Sequence, residues 1–181
     1  MPTVALPLPR YTVDDLDRFP TDGSRYELLE GWLIVSPSPG SVHQALVGRL
    51  FRRLDEYVGD GGSGHVYPGG DVRRGTSTLL NPDVLVLPRE GRPGAEWDAT
   101  IDRWLAIEVL SPSTQLYDRN YKVDAYLALG VREVWLVDPH ARSIAVHRTV
   151  GAEPVSSADL LRWTAPGADA PLVLDVAALF A

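Results

Sequence analysis

Two runs of sequence leave this 181-residue chain little freedom in how it folds. Trp104-Leu105-Ala106-Ile107-Glu108-Val109-Leu110 sets six apolar residues around one acid, and Val84-Leu85-Val86-Leu87 is apolar throughout. A strand that is apolar at alternate positions can leave one side in water, whereas one apolar on both faces needs cover above and below. Both runs are short, so they predict central strands of a sheet with layers on each face.

The surrounding pattern supplies those layers. Thr12 leads Val13-Asp14-Asp15-Leu16 as the N-cap of a short helix with acids in its first turn. Tyr26 to Ser36 predicts a hairpin turning at Glu30-Gly31, broken by Pro37 to Gly40. Ser41 then caps the strongest helix, whose apolar stripe is Val42, Leu46, Leu50, Leu54 and Val58, ended by Gly59 to Gly64. Short β-like runs follow at His65-Val66-Tyr67 and Gly70 to Arg73, then a Thr76-Ser77-Thr78 loop and the strand entered through Asn81-Pro82-Asp83. Arg89 to Ala99 is a polar loop. After Glu108 a Ser111-Pro112-Ser113-Thr114 loop leads to a helix from about Tyr117 to Leu129, stopped by Gly130. Glu133 to Val137 and Ser143 to His147 form a hairpin through Asp138 to Arg142, and the last 30 or so residues read as irregular chain, a strand and a final helical turn. This order gives an α/β (α+β) fold with a central mixed sheet flanked by helices, in one domain spanning residues 1–181.

Charge and composition exclude several functions. Seventeen basic against 24 acidic residues, net −7, rule out a general basic coat for nucleic acid, though not a local basic patch. The absence of cysteine excludes disulfides, thiolate zinc sites and cysteine nucleophiles. No segment approaches the roughly 20 apolar residues of a membrane span, and Met1 to Arg10 lacks the basic and apolar regions of a signal peptide. The expectation is a soluble cytoplasmic protein.

Glu108 is a charge in an apolar strand. An unpaired buried carboxylate costs several kcal/mol, so it needs a cation, a metal or a proton; the ordinary alternative is a partner arginine. Asp83 stands at the mouth of the other apolar strand, where Asn-Pro-Asp alone reads as a turn. If the two strands are neighbours, Asp83 and Glu108 converge on one hard divalent cation such as Mg²⁺. In the helix that follows, Asp118, Lys122 and Tyr126 lie at i, i+4 and i+8 on one face. A surface Asp–Lys pair there would contribute only about 0.3–0.5 kcal/mol. Lys122, however, is the only lysine among sixteen arginines. A coding bias that replaces surface lysines would replace this one too, unless a compact ammonium is required.

Taken together, Asn81-Pro82-Asp83, Glu108 to Thr114, Asp118, Lys122, Tyr126, Gly130 to Pro139, Tyr26 to Gly31 and His43-Gln44 resemble the Uma-type putative restriction endonucleases of the PD-(D/E)XK superfamily. The resemblance runs from about residue 11 to 148, leaving 149–181 as a C-terminal extension. It implies a restriction-endonuclease-like core in which Asp83 and Glu108, with the Val109 carbonyl, hold Mg²⁺ (or Mn²⁺). The general pattern places lysine where Leu110 stands; in the resembled family it moves to the next helix, at the place of Lys122. The implied activity is metal-dependent hydrolysis of DNA phosphodiesters, with Asp83, Glu108 and Lys122 catalytic. Glu30 or Glu27 and His43 are supporting groups, Asp118 and Tyr126 position the lysine, and a homodimer cuts two strands. Arg49, Arg52, Arg53, Arg73 and Arg74 are candidate backbone contacts, against the plain reading of a solvated helix face and loop. The rival reading is a nuclease-fold module that binds nucleic acid or a protein partner without cutting; a third is hydrolysis of another phosphoester at the same site. His65, His140 and His147 have no metal-ligand spacing. Gly59 to Gly64 fits G-x-G-x-x-G only literally, since it follows a helix and not a strand.

Overall fold

The computed structural model describes residues 10–59, 61–91, 93–94, 102–112 and 117–181, Asn120 by its backbone alone. Met1 to Pro9, Asp60, much of the Arg89 to Ala99 loop and Ser113-Thr114 lie outside the described residues. The two apolar runs become β6 (Val84–Pro88) and β7 (Leu105–Val109), and every residue of both is buried. With β3 (Gly64–Tyr67), β8 (Val134–Asp138), β9 (Ser143–His147) and β10 (Val155–Ser157) they form a six-stranded sheet ordered β10-β9-β8-β7-β6-β3. The β7–β8 pair is parallel and the rest antiparallel, so the sheet is mixed. A parallel neighbour requires a crossover, and the chain makes it through a π-helical turn at Asp118–Lys122 that runs into α3 (Val123–Ala128).

Strand alternation divides the core in two. Val84, Val86, Leu105, Ile107, Val109 and Trp135 face α2 (Ser41–Leu54), which contributes Leu46, Leu50 and Leu54. Each of these fully buried leucines is worth about 1.5–3 kcal/mol relative to exposure. Leu85, Leu87, Ala106, Val134 and Leu136 point the other way, onto Val123 and Tyr126 of α3. A hairpin of β11 (Leu160–Trp163) and β12 (Leu172–Asp175), followed by α4 (Val176–Leu179), closes the α2 side. There Trp163 meets Trp135 edge-on at 6.1 Å between ring centroids. The C-terminal stretch is thus part of the core.

A second sheet, ordered β2-β1-β5-β4, consists of β1 (Arg25–Leu29), β2 (Trp32–Ser36), β4 (Val72–Arg74) and β5 (Thr78–Leu80). The β1–β2 hairpin turns at Glu30 and Gly31, with φ of 51° and 82°. Positive φ at both turn positions matches the strand twist, and Gly31 adopts it at no steric cost. Thr12 and Asp15 form the capping box that starts α1 (Val13–Leu16).

Four expectations need correction. Gly40, not Ser41, is the N-cap of α2, since Ser41 already has helical geometry. Val42 is 65% exposed instead of continuing the stripe. Thr78 belongs to a strand and not to a loop. The helix expected from Tyr117 opens with a π turn rather than an α turn. Among the described residues no helix is long and apolar enough to cross a membrane.

Candidate active site

The register of the sheet brings the two strand carboxylates together. Val84 pairs with Ile107 across β6 and β7, and one step further puts Asp83 opposite Glu108, with the Asp83 amide bonded to the Ile107 carbonyl at 2.8 Å. Both acids project on the α3 face, beside Leu85 and Ala106. Side-chain alternation makes this outcome obligatory once the strands pair.

Asp83 is held by three donors. The Val109 amide reaches Oδ2 at 2.8 Å, His43 Nε2 lies 3.0 Å from the same oxygen, and an Arg25 terminal nitrogen sits 3.0 Å from Oδ1. Burial acts to raise its pKa, but His43, Arg25 and the Val109 amide together hold it below the ordinary aspartate range. His43 enters from the first turn of α2 with Nδ1 buried and unbonded, so the nitrogen that meets Asp83 is the one carrying its proton.

Glu108 follows the opposite course. Tyr126 donates its hydroxyl proton to Oε1 at 2.7 Å, and Lys122 Nζ lies 3.4 Å from that oxygen. Burial raises the Glu108 pKa well above the glutamate range; Lys122 opposes this, and Asp83, Asp118 and Glu27 add to it. Burial likewise raises the Tyr126 phenol. The two carboxylates on one cleft are therefore pushed in opposite directions in acidity, Asp83 by its three donors and Glu108 by burial.

Lys122 is 2% exposed and surrounded by three acids: Glu27 at 2.6 Å, Asp118 at 3.3 Å and Glu108 at 3.4 Å. Burial disfavours its charge, yet Glu108, Glu27 and Asp118 raise its pKa far above the ordinary lysine value. It is an ammonium at every working pH and cannot act as a base. Glu27, wholly buried, also accepts the Asn81 amide at 2.8 Å, so it joins β1 to the segment that delivers Asp83.

These groups line a cleft of about 200 Å³ whose walls include Arg25, His43, Asp83, Glu108, Val109, Asp118 and Lys122. Around it four carboxylates (Glu27, Asp83, Glu108, Asp118) face two permanent cations, Arg25 and Lys122. The excess of two negative charges is what one divalent cation would neutralise. The oxygen donors suit a hard ion such as Mg²⁺. Among the described residues no three His, Asp or Glu side chains are arranged as a chelating group. A Mg²⁺ ion here would thus rely on two carboxylates plus backbone, water and substrate oxygens, its usual habit.

The structure brings Asp83, Glu108, Lys122, Glu27, His43, Asp118 and Tyr126 together. It does not bring Glu30, which is exposed on the hairpin turn 3.9 Å from Arg74. Nor do the five arginines reach the cleft. Arg49 bonds the Leu179 carbonyl, Arg52 and Arg53 pair with Glu56, and Arg73 bonds the Gly75 carbonyl. Arg25 was missed by sequence reasoning. Its signal was its place two residues before Glu27, on the same face of one strand.

The Uma2 family, described as putative restriction endonuclease, matches residues 13–172 of the chain. A crystal structure of a putative nuclease belonging to DUF820 from Anabaena variabilis superposes with a TM-score of 0.76. The two share 21% identity, over 93% of this chain and 97% of that one. The architecture is accordingly restriction-endonuclease-like. No curated protein matches the chain.

Proposed function

The chain belongs to the Uma2 family of putative restriction endonucleases, and from that premise we propose that it is a Mg²⁺-dependent DNA endonuclease working at the Asp83–Glu108–Lys122 cleft. The observation that carries the reading is the pair of carboxylates brought opposite each other on adjacent strands beside a buried ammonium. Asp83, Glu108 and the Val109 carbonyl would hold the ion. When bound, Mg²⁺ polarises a phosphate oxygen and lowers the pKa of a coordinated water.

The remaining roles fall to the chain itself. Arg25, which lines the cleft, bonds the Asp83 carboxylate and the Asn81 carbonyl and so favours the ionised form of Asp83. Lys122 supplies fixed positive charge where negative charge builds as water attacks phosphorus and the P–O ester bond breaks. Its contact to Glu108 is the longest of its three, so that is the one released at least cost. Tyr126 and Asp118 fix the two ends of this arrangement, and His43 orients the Asp83 carboxylate. Cutting both strands of a duplex would take a homodimer, and light scattering of the purified chain measures that directly.

One observation favours a second reading, a nuclease-fold module that binds without cutting: Lys122 already lies within 3.4 Å of three carboxylates. Incubation with supercoiled and single-stranded DNA, in Mg²⁺, Mn²⁺ or EDTA, separates the two. The endonuclease reading expects metal-dependent cleavage that Asp83→Asn reduces at least about a hundredfold, in line with loss of one transition-state contact. Undiminished cleavage by Asp83→Asn, or none by the wild type in either metal, refutes it.

A further inference from the structure

The catalytic cleft opens sideways into a wider groove. The cleft holds about 200 Å³ and the groove about 690 Å³, and Gly40, His43, Ser111 and Pro112 line both. Beyond that common wall the groove runs past Val42, Leu110, Pro139 and His140. Its character differs from the cleft's. Apolar and ring-bearing side chains dominate, and its one acid, Asp138, is already engaged. Arg119 binds Asp138, and Asp138 Oδ1 accepts the His140 and Ala141 amides at 2.9 Å each. Those two bonds fix the turn that presents Pro139 and His140, so the groove is shaped before a ligand arrives.

Volume decides what each cavity can take. At about 200 Å³ the cleft has room for a phosphate and its solvent but is smaller than sites that enclose small organic ligands. Sites that enclose small organic ligands run from about 300 to 1,000 Å³, and the groove falls in that range.

We infer that the groove receives the base and sugar of the nucleotide beside the scissile phosphate, against Val42, Pro139 and His140, and that the substrate is therefore DNA unpaired at the cut site. The inference rests on the nuclease reading of the cleft and adds the form of DNA to it. Within a duplex a base offers its edges in the grooves, while its faces are covered by its neighbours. An apolar groove with an imidazole at its rim meets a face, as single-strand binders do. Val42 fits this role, an apolar side chain 65% exposed one residue from His43. On the crossover segment Tyr117 and Tyr121, 49% and 57% exposed with centroids 6.2 Å apart, immediately precede Asp118 and Lys122. They offer stacking faces for a further base. The charges agree: Arg25 and Lys122 are both committed to carboxylates, so affinity comes more from base faces than from phosphates.

Fluorescence anisotropy of the intact chain in EDTA, where nothing is cut, tests this with a labelled single strand and a hairpin duplex of the same sequence. The single strand should bind at least about tenfold tighter than the duplex. Val42→Glu and His140→Ala, both at exposed positions, should each weaken it about five- to tenfold with unchanged circular dichroism. The slope of log affinity against log salt should be near −0.7 to −1.4, the value for one or two phosphates. Equal or tighter duplex binding, wild-type affinity in both groove variants, or a slope steeper than about −4 overturns the inference. Tighter binding of single-stranded RNA of the same sequence overturns the assignment to DNA. Groove-dependent single-strand binding without cleavage in Mg²⁺ or Mn²⁺ supports the groove while refuting the nuclease reading. Metal-dependent cleavage of closed duplex that Val42→Glu leaves intact does the reverse.

Discussion

Replacing Lys122 by methionine keeps the length of the side chain and most of its packing but removes the only charge that Glu27, Glu108 and Asp118 share. The site is 2% exposed, so water cannot replace the ammonium. Breaking a buried ion pair from one side costs about 3–5 kcal/mol, a large part of a stability of about 5–15 kcal/mol. At about 2–4 °C per kcal/mol for a chain of this size, the melting temperature should fall by roughly 6–20 °C. The loss should also depend on pH with a definite sign. In the wild type the raised Lys122 pKa gives a stabilisation fully present below the unfolded lysine value, hence constant across neutral pH. In the variant the acids lose the ammonium that favours their ionised forms, and the burial that already raises the Glu108 pKa is no longer opposed by it. The folded state then binds more protons, and stability falls as pH rises from about 4.5 to 8. Urea unfolding at pH 5 and pH 8 measures both effects. A cost below about 1 kcal/mol at pH 8, or one that is equal at the two pH values, would refute the claim that one ammonium holds three carboxylates. The double variant Glu27→Gln/Lys122→Met should recover about 0.5–3 kcal/mol of the loss, because Glu27 is the nearest of the three at 2.6 Å.

Mg²⁺ should raise the melting temperature of the wild type, by about 2.7 kcal/mol equivalent at a hundredfold excess over Kd, and not that of Asp83→Asn; equal shifts would place the ion elsewhere. His147, whose Nε2 is buried and unbonded, has its pKa lowered by burial, helped by Arg119 and opposed by Asp124 and Glu153. Folding thus favours the neutral ring: its contribution is present above the unfolded value near 6.5 and declines as pH falls below it, and His147→Gln should flatten stability between about pH 7.5 and 5. In Gly64→Ala the new methyl would meet the Leu87 carbonyl, Trp104 and Val58, so overpacking should cost about 1–3 kcal/mol by urea titration; a neutral result would mean that β3 shifts freely.

Sequence alone exposed the centre of the site better than its rim, for a physical reason. Asp83, Glu108 and Lys122 each violate an expectation: an acid opening or interrupting an apolar strand, and a single lysine in an arginine-rich chain. Arg25 and Glu27 violate none. In a half-exposed hairpin they read as ordinary surface charges, and only the docking of β1 over the crossover segment buries Glu27 completely. The reverse error occurred at Val42, where helical periodicity is satisfied but the side chain is exposed. Periodicity describes the face of one element and is silent on where its neighbour ends. The π turn at Asp118–Lys122 was illegible because the turn is short and rare and Asp118, Lys122 and Tyr126, four apart, fit an α-helical face as well. Among the arginines of α2, Arg52 and Arg53 pair with Glu56 only one helical turn on, whereas the Leu179 carbonyl that Arg49 binds comes from the far end of the chain and could not be read locally.

The contact between Lys122 and Glu27 closes a loop of 95 residues, and that between Lys122 and Glu108 one of 14. Long loops are closed late, because their entropy must be overcome before the contact returns anything. The short contact can form as soon as the crossover segment folds onto β7, while the long one waits for the two sheets to meet. A chain with β1 detached accordingly keeps Lys122 beside Glu108 and Asp118 but lacks the Glu27 contact, the shortest of the three. The charge cluster thereby ties completion of the cleft to completion of the fold: its contact of longest loop is the one that joins β1 to the crossover segment.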